Sequence, residues 1–263
     1  DVAHMGVLEA RGPHAAYYLN LVLTNDVSRL QPGRTEYSYL LAPDGSVIDD
    51  VMAYALAPEH YLVVVNAANA AKDWAWMQAV NERRVLIDSQ RPWVCTGFQA
   101  DLRNLHDTGD PQDKLVDLAL QGPLSLDILL ALVDAVPSNP PEIRARLLTL
   151  GRTGVIRASI LSNWVPGGAF DLIIARTGYT GESMGFEVFV HPDAAMALWE
   201  QLMDVGEPLG LQPIGLGARD SLRVEAGLPL YGRELAGALD LRPDDAGFAA
   251  YVKLHKPFFI GRQ

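Results

Sequence analysis

Short apolar runs alternate along this chain with stretches whose apolar side chains recur every three or four positions. The first pattern belongs to buried strands and the second to helices packed by one face. Gly6–Arg11 predicts a strand, and Gly12-Pro13 then opens a helix over residues 14–23, with proline in the first turn where its missing N–H costs little. Thr24-Asn25-Asp26 ends it. Residues 37–41 and 46–55 read as a hairpin around Pro43-Asp44-Gly45, because Asp-Gly between apolar runs supplies the positive φ of a tight turn. Residues 61–65 predict a buried strand, and Asn66 the cap of a helix over 67–80. Residues 85–88 read as a short strand. Residues 91–113 are polar and broken by Pro, Gly and Asp, which predicts a long surface insertion; His106 and Asp107 within it read as solvated. Further strands follow at 115–120, 153–160, 170–175 and 186–190. Gly122-Pro123 opens a helix over 124–133, residues 137–141 read as a linker, and 217–225 is helical.

A weak internal repeat runs through this order. Leu8-Glu9-Ala10-Arg11-Gly12-Pro13 resembles Leu118-Ala119-Leu120-Gln121-Gly122-Pro123, and residues 65–74 resemble 190–199, each ending in Trp. The second copy is the longer. The chain therefore predicts an α+β fold of two similar strand-helix-strand-strand-helix halves, 1–114 and 115–263, around a pseudo-twofold axis. Ligands often bind where such halves meet.

Composition narrows the class. The 263 residues carry 49% hydrophobic and 20% charged side chains, as globular proteins do. No apolar run reaches the ~18 residues of a membrane span. A net charge of −11 disfavours a general nucleic-acid surface. Cys95 is the one cysteine, so neither an intrachain disulfide nor a Cys-based zinc site is available, which fits a reducing compartment. Beginning at Asp1 without methionine, the sequence reads as a piece of a longer protein.

Three stretches carry candidate chemistry. Asp49-Asp50 stands inside the apolar strand Val47-Ile48-Asp49-Asp50-Val51-Met52. Successive side chains point to opposite faces, so the two carboxyls are not expected to act as a dyad. A buried Asp needs either a partner or a role in chemistry. The partner could be the backbone N–H groups of a neighbouring turn. The stretch Arg176-Thr177-Gly178-Tyr179-Thr180-Gly181-Glu182, closed by Gly185-Phe186-Glu187, joins two predicted strands. It is open to two readings, a hairpin loop or a wall where glycines let backbone approach a flat, NH-rich ring beside an aromatic plate and carboxylates. Arg219 and Arg223 share a helix face, either as a solvated ion-paired surface or as a clamp for an anionic tail.

Taken together, residues 1–6, 24–27, 48–51, 64–69, 120–123, 176–187, 215–227, 230–232 and 256–262 resemble the aminomethyltransferase (T-protein) family of the glycine cleavage system, within the folate-dependent aminomethyl- and methyltransferase superfamily. The resemblance implies a central tetrahydrofolate pocket, Asp50 as the catalytic aspartate, and Met5, Tyr37, Asn66, Tyr179, Glu187 and Arg219 as folate contacts, with no metal. It implies transfer of an aminomethyl group from the dihydrolipoyl arm of a lipoylated carrier (H) protein, releasing ammonia and forming 5,10-methylenetetrahydrofolate in the bacterial cytoplasm, without nucleic-acid or membrane partners. The family's C-terminal barrel domain has no counterpart in this sequence. Departures fall at Ala3, where the family carries Ser, at the extra residue near Ser183-Met184, and at Tyr251, displaced from the family's aromatic position. Two alternatives share the pterin residues: a folate-dependent demethylase of a small methylated amine, sulfonium or ether, and a non-enzymatic folate-binding module. The Lys-Gly-Cys motif of the latter reads Lys256-Pro257-Phe258 here.

Overall fold

In the computed structural model, which describes residues 2–107, 109–236 and 239–262, β1 (Gly6–Arg11) ends at Gly12, whose φ of 89° favours a residue without a Cβ. Gly12 donates to the Glu59 carbonyl and accepts from the Ala15 amide, and α1 (Ala15–Val22) starts there. Then come β2 (Arg34–Leu41), β3 (Val47–Ala57), β4 (His60–Val65), α2 (Ala70–Asn81) and β5 (Asp101–Asn104). The strands form one antiparallel sheet in the order β2-β3-β4-β1-β5. Its strands alternate, so Leu8, Val51 and Val63 point to one side, where Leu19 of α1 and Met77 and Val80 of α2 complete the core. Tyr18 of α1 donates its buried hydroxyl to the Met77 carbonyl at 2.6 Å, pinning the two helices.

Three local expectations are corrected in this unit. Helix α2 begins at Ala70, later than predicted, because the Asn66 side chain is taken by the aspartates of β3 and does not cap. Residues 85–88 form no strand. The polar insertion 91–113 contains β5, where Leu102 is too isolated an apolar residue to signal a strand; β5 pairs with the edge of β1, and Arg103 reaches Glu9.

Residues 229–263 also belong to this unit, which comprises Met5–Thr108 and Pro229–Gln263. The division at 114/115 is thereby corrected at its C-terminal end. Ile260 is fully buried in the first core and its amide donates to the Leu21 carbonyl. The buried Lys256 ammonium donates to the Leu23 and Asn25 carbonyls at 2.6 and 2.8 Å. Lys256→Met leaves both carbonyls without that donor and should cost about 2–3 kcal/mol in urea denaturation. Burial lowers the Lys256 ammonium to about 8, opposed by the charges of Asp26 and Glu36. The unfolded chain keeps that proton to higher pH, so unfolding takes up a proton above about 8. The wild-type advantage over Lys256→Met should therefore widen as pH rises from 8 toward 10.

The other unit, Asp1–His4 with Gly109–Leu228, repeats the plan. It runs β6 (Val116–Gln121), α3 (Ser125–Asp134), α4 (Pro141–Thr149), β7 (Val155–Leu161), β8 (Ala169–Ala175), β9 (Gly185–Val190), α5 (Pro192–Gly206) and α6 (Leu216–Glu225). Gly122 has φ of 119°, donates to the Met184 carbonyl and accepts from Ser125, as Gly12 does in its own turn. The strand order β7-β8-β9-β6 matches β2-β3-β4-β1. The repeat seen in the sequence is thus a repeat of topology. Helix α4 follows the predicted linker, carries no strong apolar stripe, and accounts for much of the extra length; Ile143 and Leu147 anchor it to the core. On β6 and β9, Leu118, Leu120, Phe186 and Val188 face that core. Asp117, Ala119, Gln121, Gly185 and Glu187 consequently take the opposite face.

Candidate functional site

Each unit places part of the predicted set. In the first, the register puts Tyr39 opposite Asp50 and Met52 opposite Val64, which carries Asp50 to Asn66 at the sheet end. Gly6 lies opposite Val65, so Met5, half-buried, stands at the same end. Asp50 is 7% exposed. Tyr37 Oη donates to its Oδ2 at 3.0 Å and Asn66 Nδ2 to its Oδ1 at 3.0 Å. Burial, and then the charge of Asp49, raise the Asp50 carboxyl to about 7, although both hydrogen bonds pull it down. It therefore exchanges its proton near neutrality, as an acid–base group must.

Asp49 has the structural role. It accepts from the Asn66 amide at 2.9 Å, from Asn66 Nδ2 at 2.9 Å and from Asn69 Nδ2 at 2.7 Å, closing the turn into α2. The two side chains leave opposite faces of β3, as expected, yet Asn66 Nδ2 at the strand end touches both. Around Tyr37 stand Tyr39, Phe248 and Tyr251, with ring centroids at 5.2, 5.8 and 4.8 Å.

In the second unit, Tyr179, Glu187 and Arg219 line one cavity of about 240 Å³. Trp199, Leu202, Met203 and Ile214 give it an apolar wall; Gln121, Thr180 and Glu182 add polar groups. Such a cavity, apolar with a few aimed polar groups, suits an organic ligand. Arg219 and Arg223 of α6 part company. Arg223 is buried, paired with Asp220 at 2.6 Å and donating to the Leu228 carbonyl, while Arg219 is left to the cavity.

Two glycines of this wall leave room for a neighbouring side chain. A Cβ on Gly178 would come within 1.9 Å of Gln121 Oε1, and one on Gly185 within 2.3 Å. Gln121 is held there: Nε2 donates to the Thr177 and Phe186 carbonyls, each at 3.2 Å, and Oε1 accepts from Thr180 at 3.0 Å. The glycines make room for a glutamine that braces the loop carrying Tyr179. Gly181 differs: its φ is 81° and a Cβ there would meet Ala226 at 2.3 Å.

Sequence reasoning does not single out Gln121, Asn69, Asp73 or Asp117. Asp73 lies on the apolar stripe of α2 with Met77 and Val80, a spacing that marks it as buried. Asp117 is buried on the face of β6 that also carries Ala119, itself opposite Glu187. Burial and the Glu187 charge hold its carboxyl well above the ordinary range.

With an α+β unit repeated in one chain, a near-neutral buried aspartate in one copy and an aromatic–carboxylate–arginine cavity in the other, the chain belongs to the family described as the GCVT N-terminal domain, whose model matches residues 1–256. It is 41% identical over 266 residues to an aminomethyltransferase of Desulfitobacterium hafniense and 38% identical over 267 to one of Oceanobacillus iheyensis, covering 100% of this chain and 61% and 62% of those proteins. The structure of glycine cleavage system aminomethyltransferase T from Bartonella henselae matches with a TM-score of 0.73 at 30% identity, over 100% of this chain and 60% of that one. The chain thus spans about three-fifths of the length of the curated relatives it matches.

Proposed function

We propose that this chain is the folate-binding part of an aminomethyltransferase of glycine cleavage, which takes an aminomethyl group from the dihydrolipoyl arm of a carrier (H) protein, releases ammonia and yields 5,10-methylenetetrahydrofolate. Asp50 carries the proposal: a buried carboxyl, oriented by Tyr37 and Asn66 and raised to about 7. The residues present suit tetrahydrofolate. Tyr179 offers a ring face for the pterin, Glu187 an acceptor for its N–H edge, and Arg219 a planar cation for the glutamate carboxylates. When bound, tetrahydrofolate supplies the nitrogen nucleophiles that take up the one-carbon unit.

The chain's own residues then have defined roles. Ionised Asp50 stabilises positive charge developing on the aminomethyl group, and its low-dielectric surroundings strengthen that interaction. Tyr37 and Asn66 prevent it from rotating away. The apolar wall of the Tyr179 cavity keeps water from the ring it holds.

The test is to measure ammonia and methylenetetrahydrofolate formation by the full-length protein from an aminomethylated lipoyl carrier. Release of both products in equal amounts is expected. Inertness toward the carrier, with demethylation of a small methylated amine, would replace this reading with that of a demethylase. Arg219→Ala should weaken binding of tetrahydrofolate about tenfold or more, the worth of a charge-assisted hydrogen bond. It should leave binding of a tetrahydropterin lacking the glutamate tail unchanged. Equal losses for both ligands in titration calorimetry would remove Arg219 from the tail.

A further inference from the structure

Asp50 owes one of its two side-chain hydrogen bonds to the Tyr37 phenol, 3.0 Å from Oδ2. That bond lasts only while the ring is held. χ1 places the hydroxyl, and χ2 sets where its proton points, because a phenol O–H lies in the ring plane. Strand β2 fixes neither angle, since two χ1 rotamers are common on a strand and χ2 of tyrosine is broad. The orientation therefore comes from what packs on the ring.

Three aromatic rings do so, all at steep angles. Tyr39 stands at 5.2 Å and 86°, Phe248 at 5.8 Å and 63°, and Tyr251 nearest, at 4.8 Å and 67°. Edge-to-face pairs of this kind favour particular ring orientations. Tyr39 shares the strand and the face of Tyr37. Phe248 and Tyr251 come from far along the chain, around the 3-10 turn Ala249–Tyr251. Their own rings meet at 5.5 Å. The turn is tied to β2 through the backbone. Thr24, 1% exposed, gives its hydroxyl proton to the Tyr251 carbonyl at 3.0 Å, and the same oxygen accepts from the Tyr39 amide at 3.1 Å. The Lys253 amide donates to the Thr24 carbonyl at 3.0 Å. Tyr251 is thus carried at a fixed distance from Tyr37.

We infer that Tyr251 is a positioning residue for Asp50: its ring, carried on a turn that Thr24 ties to β2, holds the Tyr37 phenol on Oδ2. The inference rests on the catalytic reading of Asp50. Its consequence has a sign. Burial, and then the Asp49 charge, raise the Asp50 carboxyl, and the Tyr37 hydrogen bond opposes them. A phenol no longer held favours the ionised form less, so the proton affinity of Asp50 rises. A ring that served only to keep water out would act oppositely, because its loss would hydrate the carboxylate and lower that affinity. The other titratable groups around Asp50 are Asp49 on its own strand, Tyr39 from β2, and Asp73 and Lys72 from α2, with Tyr231 against Lys72. They are the same in every variant below.

The experiment is a titration of the Asp50 carboxyl by carbon-13 NMR in the full-length protein, with its signal identified by its loss in Asp50→Asn, beside the pH profile of kcat/KM for aminomethyl transfer. Tyr251 is 36% exposed, so its variants should fold. Tyr37→Phe should raise the midpoint by about one pH unit or more, the worth of a hydrogen bond to a charged group. Tyr251→Leu, which keeps apolar bulk and loses the flat ring, should raise it by about half a unit or more, part of the same effect. Tyr251→Phe keeps the ring and should keep the wild-type midpoint. In the Tyr37→Phe background Tyr251→Leu should add nothing, because its effect passes through the phenol. An unmoved or lowered midpoint in Tyr251→Leu, or the same rise with and without the Tyr37 hydroxyl, overturns the inference. A flat rate profile in the wild-type enzyme, with the carboxyl titrations as expected, would take down the catalytic reading of Asp50 and leave Tyr251 as the residue that holds Tyr37 on it.

Discussion

Asp50→Ala should lower kcat for aminomethyl transfer by about 10²–10⁴-fold, the contribution typical of a positioned acid–base group, with a much smaller change in the KM for tetrahydrofolate. The carboxyl stands at a sheet end with its two oxygens divided between Tyr37 Oη and Asn66 Nδ2. Methyl replacement takes one acceptor from Tyr37 Oη and one from Asn66 Nδ2, which still reaches Asp49, and removes the one negative charge proposed to face the cationic aminomethyl carbon. An amide in its place, Asp50→Asn, keeps the shape and loses the charge, so similar losses in the two variants would assign the effect to charge. Retention of more than about a tenth of kcat in both, far above the loss expected of an acid–base group, would exclude Asp50 from catalysis.

The second large effect is expected at Gly178. In Gly178→Ala the new Cβ would overlap Gln121 Oε1, and the far end of this side chain cannot swing aside freely because the Thr177 and Phe186 carbonyls and the Thr180 hydroxyl hold it. Displacing it forfeits those bonds in a partly buried place, a cost of about 2–4 kcal/mol once the strain of overpacking is added. The loop carrying Tyr179 should move with it, so folate affinity should fall together with stability. Gln121→Ala removes the obstruction. The double variant should therefore be more stable than the sum of the single losses, by about 1–2 kcal/mol, a coupling that neighbouring residues commonly show. Strict additivity in urea unfolding would mean that Gln121 does not occupy the space the two glycines leave.

Both sites mark the boundary between local and long-range information in the chain. The strand periodicities and the Gly-Pro turns carry the α+β plan, because period two and the positive φ of Gly12 and Gly122 are local properties. Asp49-Asp50 is legible as anomalous, since a carboxylate pair in an apolar strand demands partners. Which member does what is not legible: it depends on Asn66 and Asn69, which meet Asp49 only through the sheet register. The glycines of residues 176–187 stand out in the sequence, but the space beside Gly178 and Gly185 is taken by Gln121, 56 positions from Thr177. β5 gives little signal because an edge strand needs only one buried face. The placement of residues 229–263 turns on Lys256 and Ile260 reaching Leu21, Leu23 and Asn25, contacts with no local signature.

The proton equilibrium of Asp50 tests the central claim most directly. The quantity to measure is kcat/KM of the full-length enzyme across neutral pH, which reports the free enzyme's essential groups. With the carboxyl raised to about 7 and required in its ionised form, activity should rise with pH through a single step centred near 7, and this step should be missing from the residual activity of Asp50→Asn. A profile flat through that range, or the same step surviving in Asp50→Asn, would contradict the account.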